Sequence, residues 1–533
     1  MCNEQLATEL TPFQTPGDAL TPHATNQPNA EALVFPQSKK RMTYGEWHTD
    51  AFALARGLIE LGLEPGDHIG ILAESRIEWP VAQMAISLMG GVLVPLNTHY
   101  RRDDLRYALT HSGTKCLFLS SKFRNNPYLK IVQSLMPEIE TLQKLINFDE
   151  DHSDTQSYKE ILDKGVTSSA TLSRVSPNAI ASLQYTSGTT GFPKGALLTH
   201  AGMLANAWGI TERLRVTEQD RWTSIIPFFH CAGCIMCLLG TVQRGSCYVG
   251  VPAFTPVEMF QIVESEKCTL LSGVPTSHIA MLDEPERVKY DLSTLRAGTC
   301  GGADTDPALL QSCASAFPIP GIVQVYGQTE ASTLISLADC EAAERFETCG
   351  PPLPGVEVRI TNPEKGSGLP SGQIGQIETR SPMVMRGYHG DPEASAATIA
   401  DDGWMKTGDL GYLTEEGHIV VAGGRLRDMI IRGGENIYPV EIENILRIHP
   451  AITDIAVIGL PDRYYGEIVG AAVSLNDTAT SQQLQAYCDG RIAKFKIPAQ
   501  FYVVDDFPLT ASGKIRKTEL QEMVAADDIQ TLV

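Results

Sequence analysis

Between about residue 30 and residue 420 the apolar positions alternate between two rhythms. Short runs rich in β-branched residues, at 68–72, 115–119 and 322–326, have the length of buried strands. Segments 50–61 and 79–89 carry apolar residues at helical spacing instead. Helices alternating with short strands predict layered α/β architecture. The longest apolar stretch, 81–96, is interrupted by Gln83, Ser87, Gly90 and Gly91. It falls short of a membrane span and reads as a buried helix running into a strand. Between 350 and 375 Gly and Pro become dense, and 376–380 then alternates as a half-exposed strand does, which predicts a β-rich subdomain. A strand at 418–421 leads to a boundary near Gly423 and Gly424. Beyond it lies a small plan of its own: a helix over 440–448, strands over 455–460 and 468–475, and a helix over 481–492. The expected fold class is α/β: a large N-terminal body, residues 1–424, of layered α/β subdomains plus a β-rich subdomain, with a small α+β C-terminal lid over 429–533.

Bulk properties narrow the function. The 533 residues exceed one ordinary domain, and 43% apolar with 20% charged residues excludes a disordered chain. With 63 acidic against 42 basic side chains the net charge is −21, which repels a phosphate backbone and disfavours nucleic acid as a partner. Small anions remain compatible, because a pocket of backbone N–H groups and a few lysines outweighs a screened global field. The first 40 residues contain no Arg and no apolar signal core, and the chain ends Thr531, Leu532, Val533 rather than on a peroxisomal address. A cytoplasmic protein without an integral membrane segment is expected, its 12 cysteines reduced. His230, Cys231, Cys234 and Cys237 have the spacing of a metal site, but the segment is apolar throughout and no second ligand pair stands nearby, so it reads as core.

Chemistry concentrates in residues 185–195, where Thr186, Ser187, Gly188, Thr189, Thr190, Gly191 and Lys194 stand almost side by side. Glycines free the backbone to turn N–H groups toward an anion, hydroxyls add donors, and the lysine adds charge, a composition suited to a triphosphate. The spacing is not that of a Walker A loop, and no Ser or Thr follows the lysine. Further along come Phe228, Phe229, His230 and Cys231; Gly301, Gly302 and Ala303; Tyr326, Gly327, Gln328, Thr329 and Glu330; Thr407, Gly408 and Asp409; Gly424, Arg425 and Asp428; and the Ser512, Gly513, Lys514 segment. Alone, Tyr326 would read as core, Asp409 as a turn residue and Lys514 as a solvated lysine. As an ordered series they resemble the adenylate-forming superfamily of acyl-CoA synthetases, luciferases and peptide-synthetase adenylation domains, closest to the medium-chain fatty acyl-CoA synthetases.

That resemblance implies an acid activated by ATP as acyl-AMP and passed to coenzyme A. It implies that Lys194 and the Thr186-to-Gly191 loop hold the phosphates, that Gly302, Ala303, Gly327 and Gln328 contact ATP or AMP, that Tyr326 stacks on the adenine, and that Thr329 meets the α-phosphate. Glu330 would ligate Mg²⁺, since hard cations on phosphates take one or two carboxylates. Asp409 and Arg425 would hold the ribose, a carboxylate being able to accept from two vicinal hydroxyls. Lys514 would bridge the attacking carboxylate and the α-phosphate, while residues 425–428 act as a hinge pivoting near Arg427, a mild departure from the family's Asp or Lys. Arg432, Gly433 and Gly434 resemble the face that receives coenzyme A, and this stretch, followed by the 495–498 segment Phe-Lys-Ile-Pro, is similar to the medium-chain fatty acyl-CoA synthetases. Phe229, His230, Val274, Gly301 and Gly327 would line the acid pocket, whose apolar character points to a short- or medium-chain fatty acid or similar acid. The partners expected are thus a small-molecule carboxylic acid and neither nucleic acid nor membrane, with a homodimer left open. A luciferase-like or aryl-acid-activating enzyme, and a non-catalytic nucleotide-binding regulator, share the scaffold and stand as alternatives.

Overall fold

The computed structural model describes residues 7–149, 155–186, 193–302, 305, 307–362, 365–425, 430–437, 439–508, 515 and 517–533. Among them the strands form four sheets. In the first, Gln156–Ser157, Lys144–Asn147, Cys116–Leu119, His68–Leu72, Val92–Pro95 and Ile180–Thr186 lie side by side, and Lys194–Thr199 closes the edge antiparallel to Ile180–Thr186. In the second, Gly321–Tyr326, Ala297–Cys300, Leu270–Gly273, Arg221–Ser224, Cys247–Gly250 and Glu31–Phe35 run parallel, with antiparallel strands at both edges. Strands buried on both faces carry the continuous apolar runs seen in the sequence. The β-rich unit is an antiparallel sheet of Glu357–Thr361, Gly375–Arg380, Met405–Leu413 and Ile419–Arg425. The small C-terminal domain wraps a fourth sheet around the long hairpin Ile452–Asp462 and Gly466–Leu475.

Several elements differ from their predicted extents for identifiable reasons. The helix expected over 50–61 is Tyr44–Glu60, because Thr43 and Glu46 form a capping box: Glu46 N donates to Thr43 Oγ1 at 3.2 Å and Thr43 N to Glu46 Oε2 at 2.8 Å. The helix expected to reach 492 stops at Cys488, and Gly490 turns the chain with φ 80°. The strand Gly375–Arg380 is mostly buried rather than half-exposed. It is flanked on both sides, and the buried Glu378 accepts from Arg359 Nε at 2.8 Å and from Thr361 at 3.1 Å. The cysteine-rich segment forms a π-helical turn, Ala232–Cys237, with Cys234 and Cys237 packed in the core. The hairpin strands Ile430–Arg432 and Glu435–Ile437 were absent from the predicted plan. Helix Tyr44–Glu60 meets helix Tyr158–Thr167 through glycine: a Cβ on Gly165 would lie 1.7 Å from Ala53 O. Among the described residues no helix is long and apolar enough to cross a membrane.

Candidate active site

The carboxyl ends of parallel strands are where open α/β sheets leave a crevice, and both large sheets open on the same one here. The residues that follow Arg221–Ser224, Leu270–Gly273, Ala297–Cys300 and Gly321–Tyr326 line a cleft of about 960 Å³. Asn97 and Tyr100 from the first sheet, Thr407 and Asp409 from the β-rich sheet, and Gly433, Gly434 and Glu435 from the C-terminal domain complete it.

The nucleotide-type residues converge within this cleft. Tyr326 and Asp409 are both buried, and the Tyr326 hydroxyl donates to Asp409 Oδ2 at 3.0 Å. The Asp409 backbone N–H donates to Thr407 Oγ1, which fixes the turn, and the strand register sets Arg425 opposite Asp409. One short turn further on, the single-turn helix Thr329–Ala331 presents Thr329 and Glu330. Thr329 Oγ1 stands 3.5 Å from Cys231 Sγ. Glu330 Oε1 accepts the Tyr388 hydroxyl at 2.8 Å, and Lys194 Nζ sits 5.0 Å from the Tyr388 ring centroid. Tyr388 therefore couples the acidic and basic residues, a role no spacing in the sequence signalled. Its placement comes from a long-range bridge to Ala196. Thr186 pairs with Lys194 across the antiparallel hairpin, so the ends of the Gly-rich segment are held together at the cleft. Ser187, Gly188, Thr189, Thr190 and Gly191 lie outside the described residues, as do Ala303, Arg427 and Lys514.

On the acid side, Phe229 packs against His230 at 4.5 Å between ring centroids. Gly301 has no room for a side chain, since a Cβ would meet Val325 Cγ2 at 2.2 Å; Gly302 takes φ 84°. Val274 faces the C-terminal domain across the cleft. There the Arg432–Glu435 pair closes a two-residue turn with Gly433 at φ 59° and Gly434 at φ 85°, the left-handed pair that such hairpins require. A Cβ on Gly434 would fall 3.0 Å from Val274 Cγ1, and one on Gly433 3.6 Å from Thr276 Oγ1. Arg432 lies over the Tyr465 ring at 4.0 Å.

Glu435 reaches across the lobes, its Oε1 3.5 Å from His230 Nε2. Burial raises its proton affinity, but the charges of His230, His99 and Lys496, with a hydrogen bond to His230, more than reverse that and hold it below the ordinary carboxylate range. Glu435, Lys496 and His230 stand inside motifs singled out in the sequence, but their pairing across the cleft, and the part played by His99, had no sequence signal.

Residues 20–389 match the AMP-binding enzyme family, and residues 441–514 match the AMP-binding enzyme C-terminal domain. A Bacillus subtilis protein, YngI, whose name assigns it provisionally to the acyl-CoA synthetases, is 39% identical over 95% of this chain and 96% of its own length. The Bos taurus mitochondrial medium-chain acyl-CoA ligase ACSF2 is 31% identical over 96% of this chain and 88% of its own. Among solved structures, a double mutant of Bacillus subtilis o-succinylbenzoate CoA synthetase, bound to a product analogue, superposes with a TM-score of 0.82 at 30% identity, covering 97% of this chain and 99% of that one. With the family matched across most of the body and its companion domain matched behind it, this chain belongs to the AMP-binding enzymes, as an adenylate-forming member of the acyl-CoA synthetase family.

Proposed function

We propose that this protein is an ATP-dependent acid:CoA ligase for an apolar carboxylic acid, a short- or medium-chain fatty acid above all. The observation that carries the reading is the convergence, in one cleft, of the Tyr326–Asp409 pair, Thr329 with Glu330, and the glycine hairpin Gly433–Gly434 facing Val274. In the first step a carboxylate oxygen attacks the α-phosphorus of ATP and pyrophosphate leaves. Because two anions must meet, the site has mainly to neutralise and align them.

Tyr326 and Asp409 are assigned to the nucleoside: the ring flanks adenine, and the carboxylate takes the ribose hydroxyls together with Arg425. Gly302, Ala303, Gly327 and Gln328 complete the nucleotide pocket, and Thr186 through Gly191 with Lys194 carry the phosphates. Glu330 suits Mg²⁺, because Tyr388 occupies one carboxylate oxygen and the other is the kind of hard donor that such a cation takes. Mg²⁺ there would offset phosphate charge. Lys514 is assigned to the attacking carboxylate and the α-phosphate. His230, with Phe229, Val274, Gly301 and Gly327, is assigned to the acid. In the second step the coenzyme A thiol attacks the acyl carbonyl and AMP departs with the former carboxylate oxygen. Arg432, Gly433 and Gly434 are assigned to the pantetheine path, since this hairpin lines the cleft and its two glycines send no side chains into it. Residues 425–428, around Arg427, are assigned as the hinge between a body over 1–424 and a lid over 429–533. A cytoplasmic location is part of the proposal; ACSF2 carries a mitochondrial name.

The likeness to o-succinylbenzoate CoA synthetase favours a second reading, an aryl acid in the same pocket. Both are tested by measuring pyrophosphate release across straight-chain acids of graded length and a set of aromatic acids, with and without coenzyme A. Acid-dependent pyrophosphate with a maximum among the aliphatic acids, and acyl-CoA only when coenzyme A is added, is the expected result. A maximum among aromatic acids selects the second reading, and no acid-dependent pyrophosphate at all overturns both.

A further inference from the structure

Lys496 ends the single-turn helix Lys494–Lys496 of the C-terminal domain, yet it is only 4% exposed. Buried lysines occur almost only as members of ion pairs. Lys496 Nζ stands 2.6 Å from Glu441 Oε1, on the same domain, which accounts for one carboxylate. The rest of its surroundings is shared between the two domains, the body supplying Tyr100 and Asp104. Its ammonium lies 5.9 Å from the Tyr100 ring centroid, and it is attracted by Asp104, in the first turn of helix Arg102–Ser112, as well as by Glu435. The neighbouring Phe495 meets the His99 ring edge-on at 5.6 Å.

These contacts form one continuous interface. Phe495 and Lys496 touch His99 and Tyr100; His99 packs on Phe229 at 6.3 Å; Phe229 packs on His230; and His230 returns to Glu435 of the C-terminal domain. The cation therefore plugs one end of a seam whose other end is the Gly433–Gly434 hairpin in the cleft. Were the C-terminal domain turned away, the Lys496–Glu441 pair would lose Tyr100 and the Asp104 charge. A desolvated pair is favourable only with such added partners, so the energy of this seat depends on orientation. Asp104 also accepts from Arg101 N at 2.9 Å, which fixes its carboxylate at the helix start.

We propose that Lys496 is a positioning residue for thioester formation: seated between Glu441 of its own domain and Tyr100 and Asp104 of the body, it holds the C-terminal domain where the Gly433–Gly434 hairpin lines the cleft. The inference rests on the two-step reading above. It is tested at pH 8 with Lys496→Met, Lys496→Arg, Asp104→Asn and the Lys496→Met/Asp104→Asn double variant in two assays. One is acid- and ATP-dependent pyrophosphate exchange; the other is acyl-CoA formation from synthetic acyl-AMP of the acid that the screen selects.

Lys496→Met is expected to slow the thioester assay about 10-fold while exchange stays within about twofold, and Lys496→Arg to recover part of the loss. Asp104→Asn should slow the same assay by less, and should add little in the Lys496→Met background. Should Lys496→Met disturb folding of its domain, Asp104→Asn decides alone, because it changes only the body. Equal losses in both assays for Asp104→Asn, or no effect of it on the thioester assay, would overturn the inference. Absence of exchange in the unmodified protein would instead overturn the functional reading, so the two failures are distinct.

Discussion

Thr333 sits at φ 127°, a conformation that a β-branched residue rarely adopts, on the wall of the cleft. Its carbonyl oxygen occupies the space beside Gly327, where an added Cβ would come within 2.0 Å, and Leu334 Cα would be 2.5 Å away. Both obstacles are backbone atoms, so neither can swing aside. The turn that carries the chain from Tyr326 to Thr329 thus closes only on glycine. Gly327→Ala should cost roughly 1–3 kcal/mol, as overpacking does, and displace Tyr326 from Asp409. A lower thermal midpoint together with a raised KM for ATP in pyrophosphate exchange is the expected pair of results. An unchanged midpoint and KM would mean that the Thr333 segment relaxes without consequence. Residues such as Gly327, Tyr326 and Asp409 were legible in the sequence because a motif of chemically specialised residues encodes a local shape. Tyr388 was not, because one tyrosine between a glycine and a histidine is ordinary, and its link to Glu330 exists only after strands nearly 200 residues apart in sequence are brought together.

At the scale of elements, periodicity located the major strands well, since a strand buried on both faces must be apolar throughout. It was weaker at ends and at irregular turns. The π-helical turn Ala232–Cys237 leaves an apolar pattern that an ordinary helix would also give. The start of Tyr44–Glu60 was encoded, though in the Thr43 and Glu46 cap rather than in hydrophobic spacing. Helix His200–Arg213 holds a buried titratable group at its first residue. His200 is fully buried, its Nδ1 3.5 Å from Ser87 Oγ, with no partner for Nε2 among the described residues. Burial pushes its pKa down to about 4 from an ordinary value of 6.5. Unfolded chains therefore bind a proton there between pH 6.5 and 4 that the folded protein refuses, so the folded state loses stability as pH falls through that window. By pH 5 the loss is about 2 kcal/mol. His200→Gln removes the titration, so the variant, less stable at pH 7.5, should close much of its gap to the parent by pH 5 in urea unfolding. Groups shared by both proteins, Asp104 among them, cancel in that difference. A gap that stays constant would show that His200 reaches solvent.

At the scale of the whole molecule, the sequence separated a large lobe from a small one but carried no record of which faces meet. Contacts such as His230 with Glu435, and Phe495 with His99, join residues that periodicity treats as independent. They also carry a kinetic consequence. If the small lobe serves two steps from two orientations, each step should depend on a different part of it. Lys514, outside the described residues, belongs to adenylate formation in the proposed scheme, and Gly434 belongs to thiol entry. Lys514→Ala should lower acyl-AMP formation by roughly two to four orders of magnitude, the range over which lost charge stabilisation of a transition state acts, and leave acyl-CoA formation from supplied acyl-AMP nearly intact. Gly434→Leu should do the reverse. Its Cβ would already lie 3.0 Å from Val274 Cγ1, the φ of 85° is strained for any L side chain, and the larger group would intrude into the cleft that the hairpin lines. The two variants are informative as a pair, because damage confined to the lobe's fold would depress both assays in both proteins. Reciprocal losses require a lobe that changes its face to the cleft between steps, since a lobe fixed in the orientation that seats Gly434 beside Val274 would have to perform both reactions through one surface.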